Sequence, residues 1–205
     1  MKNTKSGNRT LLMSVIMSSP GPLVVGLGLL SGRSSTQIAD FLRRTSELLG
    51  IIMAYIVYKI TTKDGHCDEI KKERLEKISN IFVGATMCVG GALMLVLAFF
   101  SEAEEKGNVI PGLVIALLGV IANTIFFIKY SRLNKEEPNA IIEVQARLYR
   151  AKSLVDFCVT AALLSVAIAP DSVFSYYLDM AGSAIVALYL LYTGIKTVWE
   201  KISDK

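Results

Sequence analysis

Six apolar stretches, near residues 11–31, 36–60, 76–100, 108–129, 140–168 and 173–197, dominate this chain. Each is long enough to cross a hydrocarbon core of roughly 30 Å, which takes about 20 helical residues. A helix bonds its own backbone polar groups, which is what lipid demands of any segment that spans it. The chain has 205 residues, 52% of them hydrophobic, and a mean hydropathy of +0.47. A soluble core of this size would not need so many long apolar runs. Nothing between the stretches is long enough for a separate domain, and only a short charged tail follows the last one. The expected fold is all-α: a polytopic membrane protein with six transmembrane helices in a single domain over 1–205. Short cytoplasmic tails are expected at both ends, with no soluble domain at the C-terminus.

The first stretch opens as MKNTKSGNRT followed by LLMSVIM, superficially like a signal peptide. Pro20, Gly21 and Pro22 interrupt it, no small-residue cleavage site stands out, and apolar sequence continues to Leu30. It reads as a retained first span with a kink. Cys67, Cys88 and Cys158 include no CxxC, and His66 is the single histidine. Neither a disulfide framework nor a zinc-finger pattern is present.

Basic residues alternate from loop to loop. Lys2, Lys5 and Arg9 precede the first span; Lys59, Lys63, Lys71, Lys72 and Arg74 flank the second loop; Lys129, Arg132 and Lys135 occupy the fourth; Lys196, Lys201 and Lys205 lie in the tail. The other loops hold Arg33, then Lys106 amid Glu102, Glu104 and Glu105, and Asp171. The positive-inside rule therefore places both termini in the cytoplasm of a plasma or inner membrane. The net charge of +4 reflects this asymmetry and gives no support for a nucleic-acid partner. The lipid bilayer is the expected partner.

Charges inside the spans are the clearest pointers to function, because an ionisable group at bilayer depth costs several kcal/mol by most estimates. Arg43 and Glu47 stand four residues apart on the second span, and Lys152 and Asp156 four apart on the fifth. That spacing puts both members of each pair on one helical face. The second helix runs inward and the fifth outward. Adjoined, they would bring Arg43 level with Asp156 and Glu47 level with Lys152, near mid-membrane. Two crossed salt bridges are the expectation.

Several segments resemble the cation diffusion facilitator (cation efflux) family. Residues 26–49, GLGLLSGRSSTQIADFLRRTSELL, are similar to its first-loop-to-second-helix region, a GLLSGS-like stretch followed by A-D-x-x-[HD]-x-x-x-D. ERLEKISNIFVGA, from residue 73, resembles the third helix, and Asn123 within GVIANTIFFIKYSR fits the fourth. Residues 147–156, RLYRAKSLVD, resemble the fifth-helix pattern R-A-D-x-x-H-x-x-x-D, with Arg147 and Asp156 retained. Residues 178–194, LDMAGSAIVALYLLYTG, resemble the sixth.

The resemblance implies a transporter that exchanges a divalent transition metal for protons through four polar positions on the second and fifth helices. Carried over, those positions are Arg43, Glu47, Lys152 and Asp156: the two carboxylates survive, while His or Asp has become Arg and Lys. Arg has no lone pair to offer and charged Lys cannot ligate, so no metal is expected to reside at this membrane site. No cofactor is expected, with a divalent cation a candidate only as substrate. The family also implies a homodimer. Three outcomes follow from the altered site: transport of a different cation with Lys152 releasing its proton, an organic or anionic substrate, or a transport-inactive relative serving as a structural or regulatory subunit.

Other polar residues have supporting roles to play. Asp40 lies one turn outward of Arg43 and Arg44 and could line a vestibule, while Asn123 and Asp179 point into apolar spans as supporting groups for the site. Arg147 and Arg150 are expected to snorkel toward phosphates, and Tyr149 to anchor at an interface. His66, Cys67 and Asp68 with Glu69 are metal-ligand types in one loop, though a solvated loop is the default. Dense mixed charge over Lys63–Lys77 suggests a helix extending into the cytoplasm. Gly84, Gly90, Gly91, Gly182 and Gly194 would allow close helix approach. Met13, Met17, Met87 and Met94 read as packing residues. No hydrolase, zincin, P-loop or dinucleotide motif stands in a supporting context, so the chain is not expected to be an enzyme.

Overall fold

The computed structural model describes residues 2–31, 35–63, 68–100, 110–168 and 173–203, with side chains described except at 2–5, 25, 28–31, 35–40, 63, 97–100, 110–112, 166, 173–180 and 183. Among the described residues the architecture is all-α: α1 (Lys2–Ser18), α2 (Pro20–Ser31), α3 (Ser35–Lys63), α4 (Glu69–Phe100), α5 (Ile110–Glu136), α6 (Ala140–Ile168) and α7 (Val173–Ser203). The first expected span is the α1–α2 pair, and the other five helices each carry one of the remaining spans, the fourth from residue 110 onward. Glu69–Val96 of α4 and Leu113–Glu136 of α5 pass a combined length and hydropathy test for crossing a membrane.

The break between α1 and α2 has a local cause. Ser19 closes α1 by donating its backbone N–H and its hydroxyl to the Val15 carbonyl, at 3.0 and 2.7 Å. Pro20 then offers no N–H, and it starts α2 at the position where that donor would be unpaired anyway. Between α5 and α6 the chain reverses over three residues. Asn139 caps α6 by accepting the N–H groups of Ile141 and Ile142 at 3.0 and 3.2 Å. The mixed-charge segment is helical from Glu69, and Asp68 immediately before it accepts the Lys72 N–H through its carbonyl.

α4 and α7 pack along much of their length, as do α5 and α6, while α3 lies against α4. α3 and α6 touch only sparsely. Glycine sets the tightest seam. A Cβ on Gly194 would stand 2.7 Å from the Gly84 carbonyl oxygen, and one on Gly91 would stand 2.9 Å from that of Ala187. Backbone therefore meets backbone along α4–α7, as small residues permit in membranes. Gly182 has room for a Cβ, and Gly90 faces Arg43 and Glu47 rather than α7.

The core is formed by Ile51, Ala54, Val57, Val83, Met87, Ile141, Leu148, Ala151, Val155, Ala187 and Leu190, with Leu11 from α1. Large apolar side chains also face outward, among them Leu118, Ile128, Ile185, Leu188 and Tyr192. Such a continuous apolar exterior suits lipid rather than water. Met87 and Met94 are buried in the core, and Met13 and Met17 are exposed.

Candidate functional site

Glu47 is the centre of the site. It is only 5% exposed. Its Oε1 lies 3.3 Å from Arg43 Nη1, one turn away on the same helix, and its Oε2 lies 3.3 Å from Lys152 Nζ on α6. One carboxylate thus holds two cations on two helices. In a low-dielectric interior this arrangement is favourable only while all three charges remain together. Lys152 Nζ also stands 5.3 Å from the centre of the Tyr149 ring, a cation–π distance.

Asp156 turns to a different neighbour. Asn123 Nδ2 on α5 donates to its Oδ2 at 2.5 Å. A Cβ on Gly119 would come 2.6 Å from that same oxygen, so the missing side chain at 119 makes the niche that admits the carboxylate. Gly119 and Asn123 are four residues apart and share a face of α5. Three residues before Asp156 on α6, Ser153 Oγ meets Thr124 Oγ1 of α5 at 2.6 Å and joins the same two helices.

Glu47, Lys152 and Asp156 open onto a cavity of about 400 Å³. Its walls bring together Arg43, Arg44 and Glu47 of α3, Gly119 and Asn123 of α5, Lys152 and Asp156 of α6, and Ser18 and Pro22 beside the α1–α2 break. Ile115 and Leu163 extend it toward the end of the bundle away from the termini. On the other side stands an aromatic cluster. The Phe126, Tyr130 and Tyr149 rings lie 5.0–6.3 Å apart. Tyr149 OH meets Ser18 Oγ at 3.2 Å, and Tyr130 OH donates to Ser14 Oγ at 2.8 Å.

Glu47 and Lys152 meet as the crossed-pair expectation requires, but Arg43 and Asp156 do not form its other half among the described ion pairs. The physical reason is local: Asn123 takes the Asp156 carboxylate in the niche at Gly119, and Glu47 takes Arg43 one turn along the same helix. Tyr149 is fully buried rather than interfacial. Arg147 is engaged by two carboxylates. It donates to Glu143 and to Glu200, both at 2.6 Å, tying α6 to α7. Arg150 is exposed.

The side chains of Asp40 and Asp179 lie outside the described residues, as do His66 and Cys67. Asp68 is exposed in front of α4. Among the described residues no group of three or more His, Cys, Asp and Glu side chains is placed to hold a metal ion. Gly119 and Ser18 are among the site residues that sequence reading missed. Their only signals were i, i+4 pairings with Asn123 and Ser14.

Residues 11–204 match the family model described as the cation efflux transmembrane domain. Comparison with curated proteins gives no match.

Proposed function

The chain belongs to the cation efflux transmembrane-domain family, and on that premise we propose that it moves a cation across the membrane by alternating access, in exchange for a proton carried by Lys152. The observation that carries this reading is the double engagement of Glu47 by Arg43 and Lys152 beside an open cavity. The two basic groups stand where the charge of a cargo cation would otherwise be. While Lys152 is charged, the site has no room in its charge balance for a divalent ion. Loss of its proton removes one positive charge and leaves a neutral amine that still donates an N–H to Glu47 Oε2, with its lone pair turned away from that oxygen. A cation entering from the cavity then takes its place, with Glu47 and Asp156 as its anionic partners; a divalent ion leaves this group of four side chains one positive charge above its resting balance, so each transport step carries net charge unless a second proton leaves with the first.

Alternating access is supported from both directions. The cavity reaches the site from the end away from the termini. On the opposite side, the buried amides of Asn80 and Gln145 are polar groups on the path toward the termini. The basic loops support an orientation with both termini in the cytoplasm, and the family resemblance supports a homodimer.

The same double ion pair favours a second reading, a transport-inactive subunit whose charges only hold α3 to α6. Proton release separates the two. Proteoliposomes loaded with a pH-sensitive dye are exposed to Zn²⁺, Mn²⁺ or Fe²⁺, using wild type and Lys152→Met. Cation-driven proton movement in wild type, absent from Lys152→Met, is expected. A wild type that moves neither cation nor proton would leave the inactive subunit as the better reading.

A further inference from the structure

A second crevice, of about 620 Å³, lies between α1 and α5 at the end of the bundle that carries the termini. α1 contributes Ser6, Arg9, Thr10 and Met13 to it, and α5 contributes Phe126, Lys129, Arg132, Leu133 and Glu136. Both sets follow the i, i+3, i+4, i+7 spacing of a single helical face. The helices are antiparallel, so the two faces share one polarity. Arg9, Lys129 and Arg132 cluster toward the termini, while Met13 and Phe126 lie deeper in the bundle.

We propose that this crevice binds an anionic phospholipid, with the phosphate among Arg9, Lys129 and Arg132 and the acyl chains running along α5. Three cations against the single carboxylate of Glu136 give the crevice a positive balance. Arg132 bonds Glu136 through Nε alone, at 2.9 Å, so its Nη groups can serve a second acceptor. That ion pair is solvent-exposed and holds Arg132 only weakly. Beyond the basic cluster, α5 continues as an exposed apolar strip of Ile128, Ile125, Ile121 and Leu118. A free phosphate would need the cations but not the Met13–Phe126 wall or this strip. A lipid uses both. Basic pockets between helices at the headgroup level are a known way of selecting anionic lipids.

The test uses the full chain in neutral detergent, titrated with dioleoyl phosphatidylglycerol, dioleoyl phosphatidylcholine or inorganic phosphate. Retained lipid is counted by native mass spectrometry and thermal stability is followed in parallel. Arg9→Gln with Lys129→Gln is compared with Lys71→Gln with Arg74→Gln, which removes the same charge from exposed positions at the same end of the bundle. Phosphatidylglycerol is expected to bind and raise the melting temperature of wild type, with little effect from phosphatidylcholine. The first double variant should weaken that binding about 30-fold, from roughly fivefold per basic group, and the second should leave it unchanged. Equal losses in both variants would reduce the effect to the general field of the basic end and overturn the site. Equal binding of phosphatidylcholine would remove the headgroup selectivity, and inorganic phosphate displacing the lipid at similar concentration would make it a free-anion site. Either result contradicts the proposal.

Discussion

Glu47 is the anion that Arg43 and Lys152 share, so its loss leaves two cations buried without it. Breaking such a group by removing one member costs more than the group contributes when intact. Glu47→Gln is expected to lower unfolding stability in detergent by about 3–5 kcal/mol. Adding Lys152→Met should recover part of that loss, because one stranded charge goes with it; denaturant titration of the two variants measures the recovery. Asp156 is held differently, and Gly119→Ala probes the difference. A Cβ at 119 would force the carboxylate off Asn123, so transport should fall at least tenfold while the protein still folds, and normal transport by this variant would remove Asp156 from the site. At this scale the sequence was informative about which residues matter and less so about their partners. The i, i+4 spacing marked Arg43, Glu47, Lys152 and Asp156 as charged faces. It could not show that a cavity opens beside them, nor that an absent side chain at 119 would draw Asp156 to α5.

Helix pairs depend on where backbones can approach. Gly194→Val is expected to split the α4–α7 seam, since a Cβ there meets the Gly84 carbonyl oxygen at 2.7 Å. Overpacking of this kind costs about 1–3 kcal/mol. Gly182→Ala is the control. Its Cβ would sit 3.7 Å from Cys158 Cβ, an ordinary contact, and melting temperature should barely change. Small residues on the third and sixth spans announced close packing in the sequence, but only the structure sorts Gly84, Gly91 and Gly194 into the seam and Gly90 into the site. α6 and α7 are also joined beyond the seam by Arg147 and Glu200. The Arg147 hydrogen bond, reinforced by the charges of Arg147, Lys196 and Lys201, holds the Glu200 carboxyl below its ordinary value against the opposing effect of burial. A carboxylate lowered in the folded state contributes stability above its unfolded pKa of about 4.3 and loses it as pH falls further. Wild type should therefore melt progressively earlier below about pH 4.3, and Glu200→Gln should flatten that part of the profile. The effect is small because Glu200 is 38% exposed.

For the molecule as a whole, six apolar stretches were enough to read the all-α membrane fold, because segment length and hydropathy are the quantities the bilayer selects. The break at Ser19–Pro20 was legible too, since proline removes a backbone donor wherever the chain goes. The cavity was not. It arises from how α3 stands to α6, and no local pattern records the spacing of two helices separated by 76 residues of chain, 64–139. The account rests on that cavity leading to a site where cations and protons compete. The most direct measurement is metal and proton flux in proteoliposomes, with wild type beside Arg43→Asp with Lys152→His. Cation flux that drives protons the other way is expected in wild type, and cation flux with altered proton coupling in the double variant. Flux confined to the double variant would show a competent carrier locked by its own basic residues, and silence from both would show a membrane scaffold; either contradicts the account.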